Sequence, residues 1–473
     1  MKKIVSIFER LGLGGGGKIK AVYKRMNAFA EMRGVEPILL TIDHGPKVKL
    51  NFAKLISSGE IAPGVSLLSV PEACLRAAVE QGVQAYADWP EYDESVVSGR
   101  RITYFQGGNP VMTDHDRATL VGRVTMRTVF IPDRQHEATL IDGIVAQIVQ
   151  RNADQTIEIT DFAAGYPIRW TKSLGRDFVA GKNLISGTSY RMIRAFNRSF
   201  FEMIHWDDSV VFFDGVTVAY LSPAVKAPRA LFLHADHRGP DGNIVPRSKF
   251  LIENFEGEAI ITSTEVHRKE IEADLTPSAN LHVIPHVCEV GDPHETQRNN
   301  IVTVSRLDLT GKPIQECIKA FCLIKDEFPD VDYLIYGEGS GQAKLEALIA
   351  RMGCGDRVKL MGYTTEPLSV FQGAILSVYP TMTEGFGLSI LEALSNGCPV
   401  ISYDVNYGPR ELIRPGENGA LVPPGDLKAI ARSMREILRN PKKHQRGARA
   451  GLGRYTQQKY RSNYLDLVRG LIN

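Results

Sequence analysis

Hydrophobic and polar positions along this chain form two kinds of pattern. Residues 3–42 read as an apolar strand, a glycine loop, an amphipathic helix from about Ile19 to Arg33 and a second apolar strand. Strands that alternate with helices in this way are typical of parallel βαβ units. The same alternation of strands and helices returns after residue 290, where apolar runs such as "NIVTVSR" and "CPVISYD" are each followed by a helix or loop. The pattern predicts an α/β fold with two doubly wound, Rossmann-like domains, which bind ligands in a cleft at the carboxyl ends of their strands.

A different texture occupies residues 91–179. Its apolar runs are short, rich in β-branched and aromatic residues, and separated by Gly, Asn, Asp and Pro, as in strands joined by turns. Alternation at Val124, Met126, Thr128 and Phe130 has the period of two of a half-buried strand. We therefore expect an antiparallel β insertion in the N-terminal domain, followed by a helix in "SYRMIRAFNRSFFEMI".

The end of the chain repeats apolar residues at the spacing of an amphipathic helix that packs on a domain. These residues are Tyr460, Tyr464, Leu467, Val468 and Leu471. The predicted division is an N-terminal Rossmann-like domain over 1–90 and 180–290, the insertion over 91–179, a C-terminal Rossmann-like domain over 291–455 and a helix over 456–473.

Composition excludes some classes of protein. The 473 residues carry a formal net charge of +2, so no whole-protein field gathers nucleic acid. No run reaches the ~18 apolar residues of a membrane helix, and the start "MKKIVSIFERLG" is too short in apolar residues for a signal peptide. The six cysteines form no C-x-x-C pair, so we expect small buried residues in a reducing compartment. We expect a cytoplasmic protein and leave peripheral contact with a membrane open.

A glycine run follows the first strand. The stretch "LGLGGGGKIK", residues 11–20, comes within one residue of the P-loop pattern. That pattern needs a Ser or Thr to hold Mg²⁺, and Ile19 stands there. The metal ligand of a P-loop is therefore missing.

The most informative segment is "PTMTEGFGLSILEALSNGCPVISYDVNYGPRELI", residues 380–413. Glu384 ends a buried strand, Gly385-Phe386-Gly387 makes a tight turn, and a helix begins near Leu388. Glycines let backbone N–H groups approach a phosphate, and a helix N-terminus adds positive charge there. Glu392, about one helical turn further, can present two oxygens to a vicinal diol, as an acidic residue holds the ribose in dinucleotide folds. A diphosphate and a ribose are the ligands that this pattern favours.

The segment resembles the E-x₇-E motif of the retaining sugar-nucleotide glycosyltransferases of the glycogen-synthase-like superfamily, which have the GT-B fold. Glu384 and Glu392, with seven residues between them, match its two glutamates. The resemblance implies that Glu384 lies by the transferred sugar and that Glu392 binds the ribose. It also implies a nucleotide-sugar role for the C-terminal domain and an acceptor role for the N-terminal domain.

Further elements fit the same family. "VSRLDLTGK" resembles its R-L-x-x-x-K element, with Arg306 and Lys312 as the diphosphate clamp. By the same resemblance, the base and diphosphate contacts are Gly362 and Tyr363 after "LMG", the amides of Gly385, Phe386, Gly387 and Leu388, and Gly16 and Gly17 of the glycine run.

A narrower likeness rests on the insertion together with "LFLHADHRG" and "NYGPRELI". These elements resemble the bacterial subgroup of wall-teichoic-acid α-glycosyltransferases and adhesin O-GlcNAc transferases. The resemblance implies that His234 is an active-site residue that orients the sugar. It also implies a UDP-glucose or UDP-GlcNAc donor as substrate, no cofactor and no metal. The acceptor would be a teichoic acid, a glycan or a protein hydroxyl, and the insertion would join subunits into a homo-oligomer.

Other readings stay open or are disfavoured. A non-catalytic copy of the fold that binds acceptor for an active transferase is the main alternative. A phosphorylase is disfavoured because the resemblance implies that Glu392 binds a ribose.

Two further groups of residues allow more than one interpretation. The glycines of 337–341 favour a structural turn over a second phosphate cradle, and the arginines of the insertion fit either a polyanionic acceptor or a solvated strand face. These arginines are Arg100, Arg101, Arg117, Arg123, Arg127 and Arg134.

The run "HADH" suggests metal ligands. Strand alternation places His234 and Asp236 on one face and His237 on the other, and no other ligands cluster with them. We therefore expect no metal site.

Overall fold

The structure is a computed structural model, and it describes most but not all of the chain. The described residues are 2–9, 11, 17–42, 48–69, 93–98, 101–107, 109–119, 122–131, 134–141, 144–152, 156–163, 166–174, 177–183, 189–190, 198, 201–202, 204, 206–239, 242–288 and 299–472. The chain divides into two compact units, residues 1–229 and 230–473. The domain boundaries expected from the sequence remain a prediction.

The first unit contains a parallel sheet and a long antiparallel sheet. Its described elements, in chain order, are β1 (Lys2–Phe8), α1 (Gly17–Ala30), β2 (Val35–Thr41), α2 (Val48–Ser57), β3 (Ser66–Ser69), β4 (Glu94–Ser98), β5 (Arg101–Gln106), β6 (Asn109–Thr119), β7 (Gly122–Ile131), β8 (Arg134–Ile141), β9 (Ile144–Asn152), β10 (Thr156–Ala163), β11 (Tyr166–Leu174), β12 (Asp177–Asn183), β13 (Ser189–Tyr190), β14 (Ser209–Asp214) and a 3₁₀ helix (Ala219–Ala224).

The parallel strands of this unit lie in the order β14-β1-β2-β3. Residues 4–8 of β1 are all buried, as expected for a strand covered on both faces. Ile4 lies opposite Val210 of β14 and Pro37 of β2. The βαβ opening predicted from the apolar runs is therefore present.

A buried ion pair ties α1 to this sheet. Arg25 and Asp214 are 1% and 0% exposed. The Arg25 guanidinium contacts Asp214 on β14 and Ser6 on β1, and Ser6 Oγ donates to Asp214 Oδ2 at 2.5 Å. The carboxylate charge is thereby neutralised inside the core.

Strands β4 to β13 form a ten-stranded antiparallel sheet in which neighbours in sequence are neighbours in space. The predicted antiparallel insertion is present. The helix expected from Ser189 is wrong at its start, because Ser189 and Tyr190 form β13 and pair with Lys182 and Gly181 of β12. Tertiary pairing there outweighs local helical preference.

The second unit is α/β throughout. Its described elements, in chain order, are β15 (Arg229–Phe232), α3 (Pro246–Asn254), β16 (Ala259–Thr262), α4 (Glu265–Asp274), β17 (Asn280–Val283), β18 (Asn300–Val304), α5 (Ile314–Cys322), a 3₁₀ helix (Lys325–Glu327), β19 (Asp332–Tyr336), α6 (Gln342–Arg351), β20 (Val358–Gly362), α7 (Pro367–Gln372), β21 (Ala374–Tyr379), α8 (Leu388–Ser395), β22 (Val400–Tyr403), α9 (Gly408–Leu412), β23 (Gly419–Val422), α10 (Leu427–Arg439), α11 (Pro441–Arg449), a 3₁₀ helix (Leu452–Tyr455) and α12 (Gln457–Ile472).

Parallel strands β15, β16 and β17 are neighbours in that order, and six further parallel strands lie in the order β20-β19-β18-β21-β22-β23. The strand order reverses between β18 and β21, the position where doubly wound sheets bind ligands. The loops after β18 and β21 therefore carry the candidate site.

Helices cover this sheet with their apolar stripes. Asp426 caps α10 by accepting from the Ala429 N–H at 2.8 Å, which satisfies a first-turn donor. Met434 and Ile437 on its inner face are buried in the core. In α12, Tyr460, Tyr464, Leu467 and Val468 are buried, which agrees with the stripe predicted from their spacing. No helix that the structure describes has the length and apolar character to span a bilayer.

The described cysteines form no disulfide. Cys288, Cys317, Cys354 and Cys398 are buried and Cys322 is half-buried, close to the expected small core residues. Burial raises the pKa of the Cys322 thiol to about 12, so it stays protonated. Cys74 lies outside the described residues.

Candidate active site

Two loops meet where β18 and β21 end. Residues 305–312 follow β18, and residues 380–387 lead from β21 into α8. The Met382 N–H donates to the Gly311 carbonyl at 3.0 Å. This backbone bond brings the predicted Lys312 and Glu384 to the same edge of the sheet.

Lys312 is held by three acceptors. Its Nζ lies 2.7 Å from Thr381 Oγ1, 2.8 Å from Glu384 Oε2 and 2.9 Å from Tyr379 Oη. An ammonium has three donors, so these bonds use all of them. Burial lowers the pKa of Lys312, and the Glu384 carboxylate opposes that change. The predicted diphosphate clamp is thus also the counter-ion of Glu384.

Both oxygens of Glu384 are positioned. Oε2 accepts from the Tyr379 hydroxyl at 3.0 Å, and Oε1 accepts from the Gly387 N–H at 3.1 Å. The side chain remains 20% exposed. The carboxylate is therefore fixed in direction and still open to a ligand.

The two predicted glycines of the turn are required by its geometry. Gly387 has φ +86°, a left-handed conformation that favours glycine. A Cβ on Gly385 would lie 2.5 Å from the His234 carbonyl oxygen, closer than such atoms can approach. The turn therefore passes directly against the loop that follows β15.

The first turn of α8 presents unpaired amides. Within the described chain, the N–H groups of Leu388 and Ser389 make no backbone hydrogen bond, as expected for the start of a helix. Phe386 is buried and packs edge-on against His286, with ring centroids 4.9 Å apart. Free amides at a helix N-terminus are an anion-binding arrangement.

The charges of Arg306 and Glu392, like that of Glu384, influence the pKa of the Tyr379 hydroxyl. Burial raises the pKa of Tyr379 well above its ordinary value, the charges of Glu384 and Glu392 raise it further, and Arg306 opposes them. Arg306 is exposed just after β18 and makes no hydrogen bond or ion pair with any residue described. Its guanidinium is therefore available to an anion. Glu392 is half-buried on α8, one turn beyond the free amides.

His234 lies beside the turn. Its ring stacks on Phe232 at 4.3 Å between centroids and is parallel to the ring of His286. The side chain is half-buried. The structure therefore brings His234, Lys312, Glu384 and Gly385 together.

The strand alternation assumed for "HADH" is wrong. β15 ends at Phe232, so residues 234–237 form a loop. Asp236 and His237 both contact the Tyr407 hydroxyl, at 2.5 and 3.0 Å. Asp236, His237 and His267 offer ligand atoms within 4.8 Å of one another. The expectation that no other ligand clusters with "HADH" is therefore wrong, because His267 joins it. Both ring nitrogens of His237 are, however, already engaged by Tyr407 and Asp274, and His267 Nε2 has no hydrogen-bond partner among the described residues.

The remaining predicted contacts belong to other elements. Gly362 ends β20, and Tyr363 beside it is 62% exposed; β19 separates β20 from β18. Gly17 is the first residue of α1 in the other unit, and Gly16 lies outside the described residues. The glycines of 337–341 contact the chain closely: a Cβ on Gly337 would lie 1.8 Å from the Ser305 carbonyl oxygen, which supports the structural turn.

Tyr379, Thr381 and Tyr407 were missed by the sequence reasoning. Tyr379 and Thr381 lie two residues apart where β21 ends, the spacing that puts side chains on one face, and this was the signal available. Tyr407 lies in the stretch "NYGPRELI" that carries the narrower likeness, but its bond to Asp236 spans 171 positions and no local pattern indicates that bond.

Comparison with known proteins identifies a family that matches the part of the chain containing this site. Residues 291–454 match the model of "Glycosyl transferases group 1". The match covers the C-terminal part of the chain, and the predicted resemblance to glycosyltransferases is confirmed.

Individual relatives are similar to parts of the chain. It is 33% identical over 171 residues to the Poly(glycerol-phosphate) alpha-glucosyltransferase of Bacillus subtilis, covering 36% of this chain and 25% of that protein. It is 29% identical over 233 residues to the GtfA subunit of a UDP-N-acetylglucosamine–peptide N-acetylglucosaminyltransferase of Streptococcus parasanguinis, covering 45% of this chain and 46% of that protein. The matches therefore span a quarter to a half of these relatives.

One solved structure shares the fold over nearly the whole length. A mutant of S. aureus TarM, crystallised with fondaparinux, alpha-GlcNAc-glycerol and UDP, superposes with a TM-score of 0.81 at 20% identity and covers 99% of both chains. The predicted GT-B fold with an antiparallel insertion is confirmed.

Proposed function

We propose that this protein is a retaining glycosyltransferase that uses a UDP-sugar without a metal. It moves glucose or GlcNAc to a hydroxyl of a polymeric acceptor, which is a teichoic acid, a glycan or a Ser/Thr of a protein. The observation that carries the proposal is the turn from Glu384 to Leu388. There a fixed carboxylate, free helix amides and Lys312 converge, with Glu392 one helical turn away.

The residues present suit the charge that the reaction develops. When the bond between the sugar C1 and the diphosphate oxygen breaks, negative charge grows on the leaving diphosphate. Arg306, the first amides of α8 and the Lys312 charge are preorganised to stabilise it. Loss of one such donor typically lowers the rate by roughly 10²–10³-fold.

The proton balance needs no separate base. As the acceptor oxygen bonds to C1 on the face that the diphosphate leaves, its proton passes to the departing phosphate oxygen. Glu384, held in place by Lys312 and Tyr379, lies beside the sugar, and its carboxylate stabilises positive charge at C1. His234 orients the sugar from the neighbouring loop, and Glu392 binds the ribose diol.

The relatives support the substrate class. Their printed names include an alpha-glucosyltransferase of poly(glycerol-phosphate) and a UDP-N-acetylglucosamine-dependent peptide transferase subunit, and the TarM crystal contains UDP and alpha-GlcNAc-glycerol. We also propose that the β insertion joins subunits into a homo-oligomer and that the protein acts in the cytoplasm. A monomer mass by light scattering would contradict the first point.

The proposal is tested by calorimetric titration with UDP and by UDP release from UDP-glucose and UDP-GlcNAc. Glu392→Ala should weaken UDP binding and abolish most turnover. The control is Glu346→Ala, which removes an exposed carboxylate on α6 and should leave both unchanged. Full activity of Glu392→Ala would contradict the assignment. Absence of both UDP binding and turnover in the wild type would favour the non-catalytic acceptor-binding partner.

A further inference from the structure

We propose that Tyr407 is a positioning residue for Glu384 and His234. It acts through a buried network with Asp236 and His237, and the inference rests on the proposed function. The juxtaposition that supports it is that one residue, Tyr407, bonds the loop after β15 through its side chain and the backbone of Glu384 through its own backbone.

The backbone of Tyr407 holds Glu384 directly. The Tyr407 and Gly408 N–H groups both donate to the Glu384 carbonyl, at 2.7 and 3.1 Å, and the Glu384 N–H donates to the Asn406 carbonyl at 3.3 Å. The two segments thus form a short parallel β bridge. The position of Glu384 follows that of Tyr407.

The hydroxyl of Tyr407 is bound to the other loop. The residue is 0% exposed, and its Oη lies 2.5 Å from Asp236 Oδ1 and 3.0 Å from His237 Nδ1. Burial and Asp236 raise the pKa of Tyr407, so the phenol keeps its proton. Removing this hydroxyl is costly, because His237 Nδ1 loses the bond and Asp236 Oδ1 keeps only the one from the Arg238 N–H at 2.8 Å.

The far side of the network anchors that loop to α4. His237 Nε2 lies 2.7 Å from Asp274 Oδ2, and Arg238 binds both oxygens of Asp274. Bidentate pairs of this kind fix geometry as well as charge. His267 on α4 stacks on the Tyr407 ring, with centroids 4.1 Å apart.

These contacts connect the loop 234–238 to the turn at Glu384 in two ways. The loop 234–238 contacts the catalytic turn once directly, where Gly385 passes the His234 carbonyl, and once through Tyr407. With both links present, His234 and Glu384 are fixed relative to each other. Without the hydroxyl, the close contact and the stacking of the Tyr407 ring on His237 remain, but the directional hydrogen bonds are lost and the two groups gain freedom to separate.

The test is Tyr407→Phe, which removes the hydroxyl and keeps the stacked ring. The matched control is Tyr333→Phe, also 0% exposed, whose hydroxyl bonds Thr303 Oγ1 at 2.7 Å in the sheet interior. Both variants should lower the melting temperature similarly. Only Tyr407→Phe should lower kcat for UDP-sugar turnover, by about 10- to 100-fold, because misplacement by ~1 Å costs up to about 10²-fold. The KM of the donor should change far less than kcat.

A second variant keeps the inference testable should Tyr407→Phe fold poorly. Asp274→Asn weakens the anchor from a side chain that is 16% exposed and should lower kcat in the same direction by a smaller factor. Wild-type kcat in folded Tyr407→Phe or Asp274→Asn would overturn the inference alone, as would an equal loss in Tyr333→Phe. An inactive wild type would overturn the proposed function and this inference together.

Discussion

Replacing Lys312 by Met removes the charge at the centre of the site and keeps most of the side-chain volume. Lys312 and Glu384 are 12% and 20% exposed, so their pair is largely shielded from water. Removing one partner of a fully buried pair costs about 3–5 kcal/mol. Because this pair retains some solvent, we expect Lys312→Met to lower the free energy of unfolding by about 2–3 kcal/mol.

Lys359→Met is the matched control. Lys359 pairs with Asp332 at 3.0 Å, with side chains 47% and 30% exposed. Such exposed pairs contribute about 0–1 kcal/mol. Urea unfolding of the two variants and the wild type therefore separates a shielded pair from an exposed one within the same sheet.

The same variant tests the electrostatic role. With the charge gone, UDP release from the preferred donor should fall by roughly 10²–10³-fold, while Lys359→Met should keep the wild-type rate. The reasoning is refuted if Lys312→Met is destabilised no more than Lys359→Met, or if its turnover equals that of the wild type.

Three further expectations follow from the geometry. Gly385→Ala places a Cβ 2.5 Å from the His234 carbonyl oxygen, so the loops must separate and UDP release should fall by up to about 10²-fold; an unchanged rate would refute the close approach. Burial lowers the pKa of His267 from 6.5 to about 3, so the unfolded chain binds a proton first as the pH falls, and stability should drop by ~2 kcal/mol between about pH 7.5 and about pH 5. In urea titrations His267→Gln should lack this drop, and equal drops in both proteins would count against it. Arg25→Met removes the cation that contacts Asp214 and leaves the carboxylate buried, so it should lower the free energy of unfolding by about 3–5 kcal/mol; a loss under about 1 kcal/mol would show that the pair is not buried in solution.

Much of the fold is readable from hydrophobic periodicity. The strands around Val302, Leu376 and Ile401 are continuous apolar runs because both faces of a central parallel strand are covered. β23 is harder to read because its four residues, Gly419–Val422, are too short to show a period. β13 is hidden because pairing with β12 decides its conformation.

The candidate site is likewise only partly readable from the sequence. The turn at Glu384 is readable because glycines, a helix start and a second glutamate lie within nine residues of one another. The partners of that turn come from distant positions, since Lys312 is 72 residues from Glu384 and Asp236 is 171 from Tyr407. The alternation rule fails for "HADH" because the strand ends before it, and a rule for strands does not hold in a loop.

The most direct test of the proposed chemistry is time-resolved NMR of UDP-glucose and UDP-GlcNAc mixed with the wild-type protein. The proposal predicts that one donor is consumed, that UDP appears in equal amount, and that the sugar is first released or transferred with its α configuration. Neither donor consumed, or a sugar that first appears in the β configuration, would contradict it.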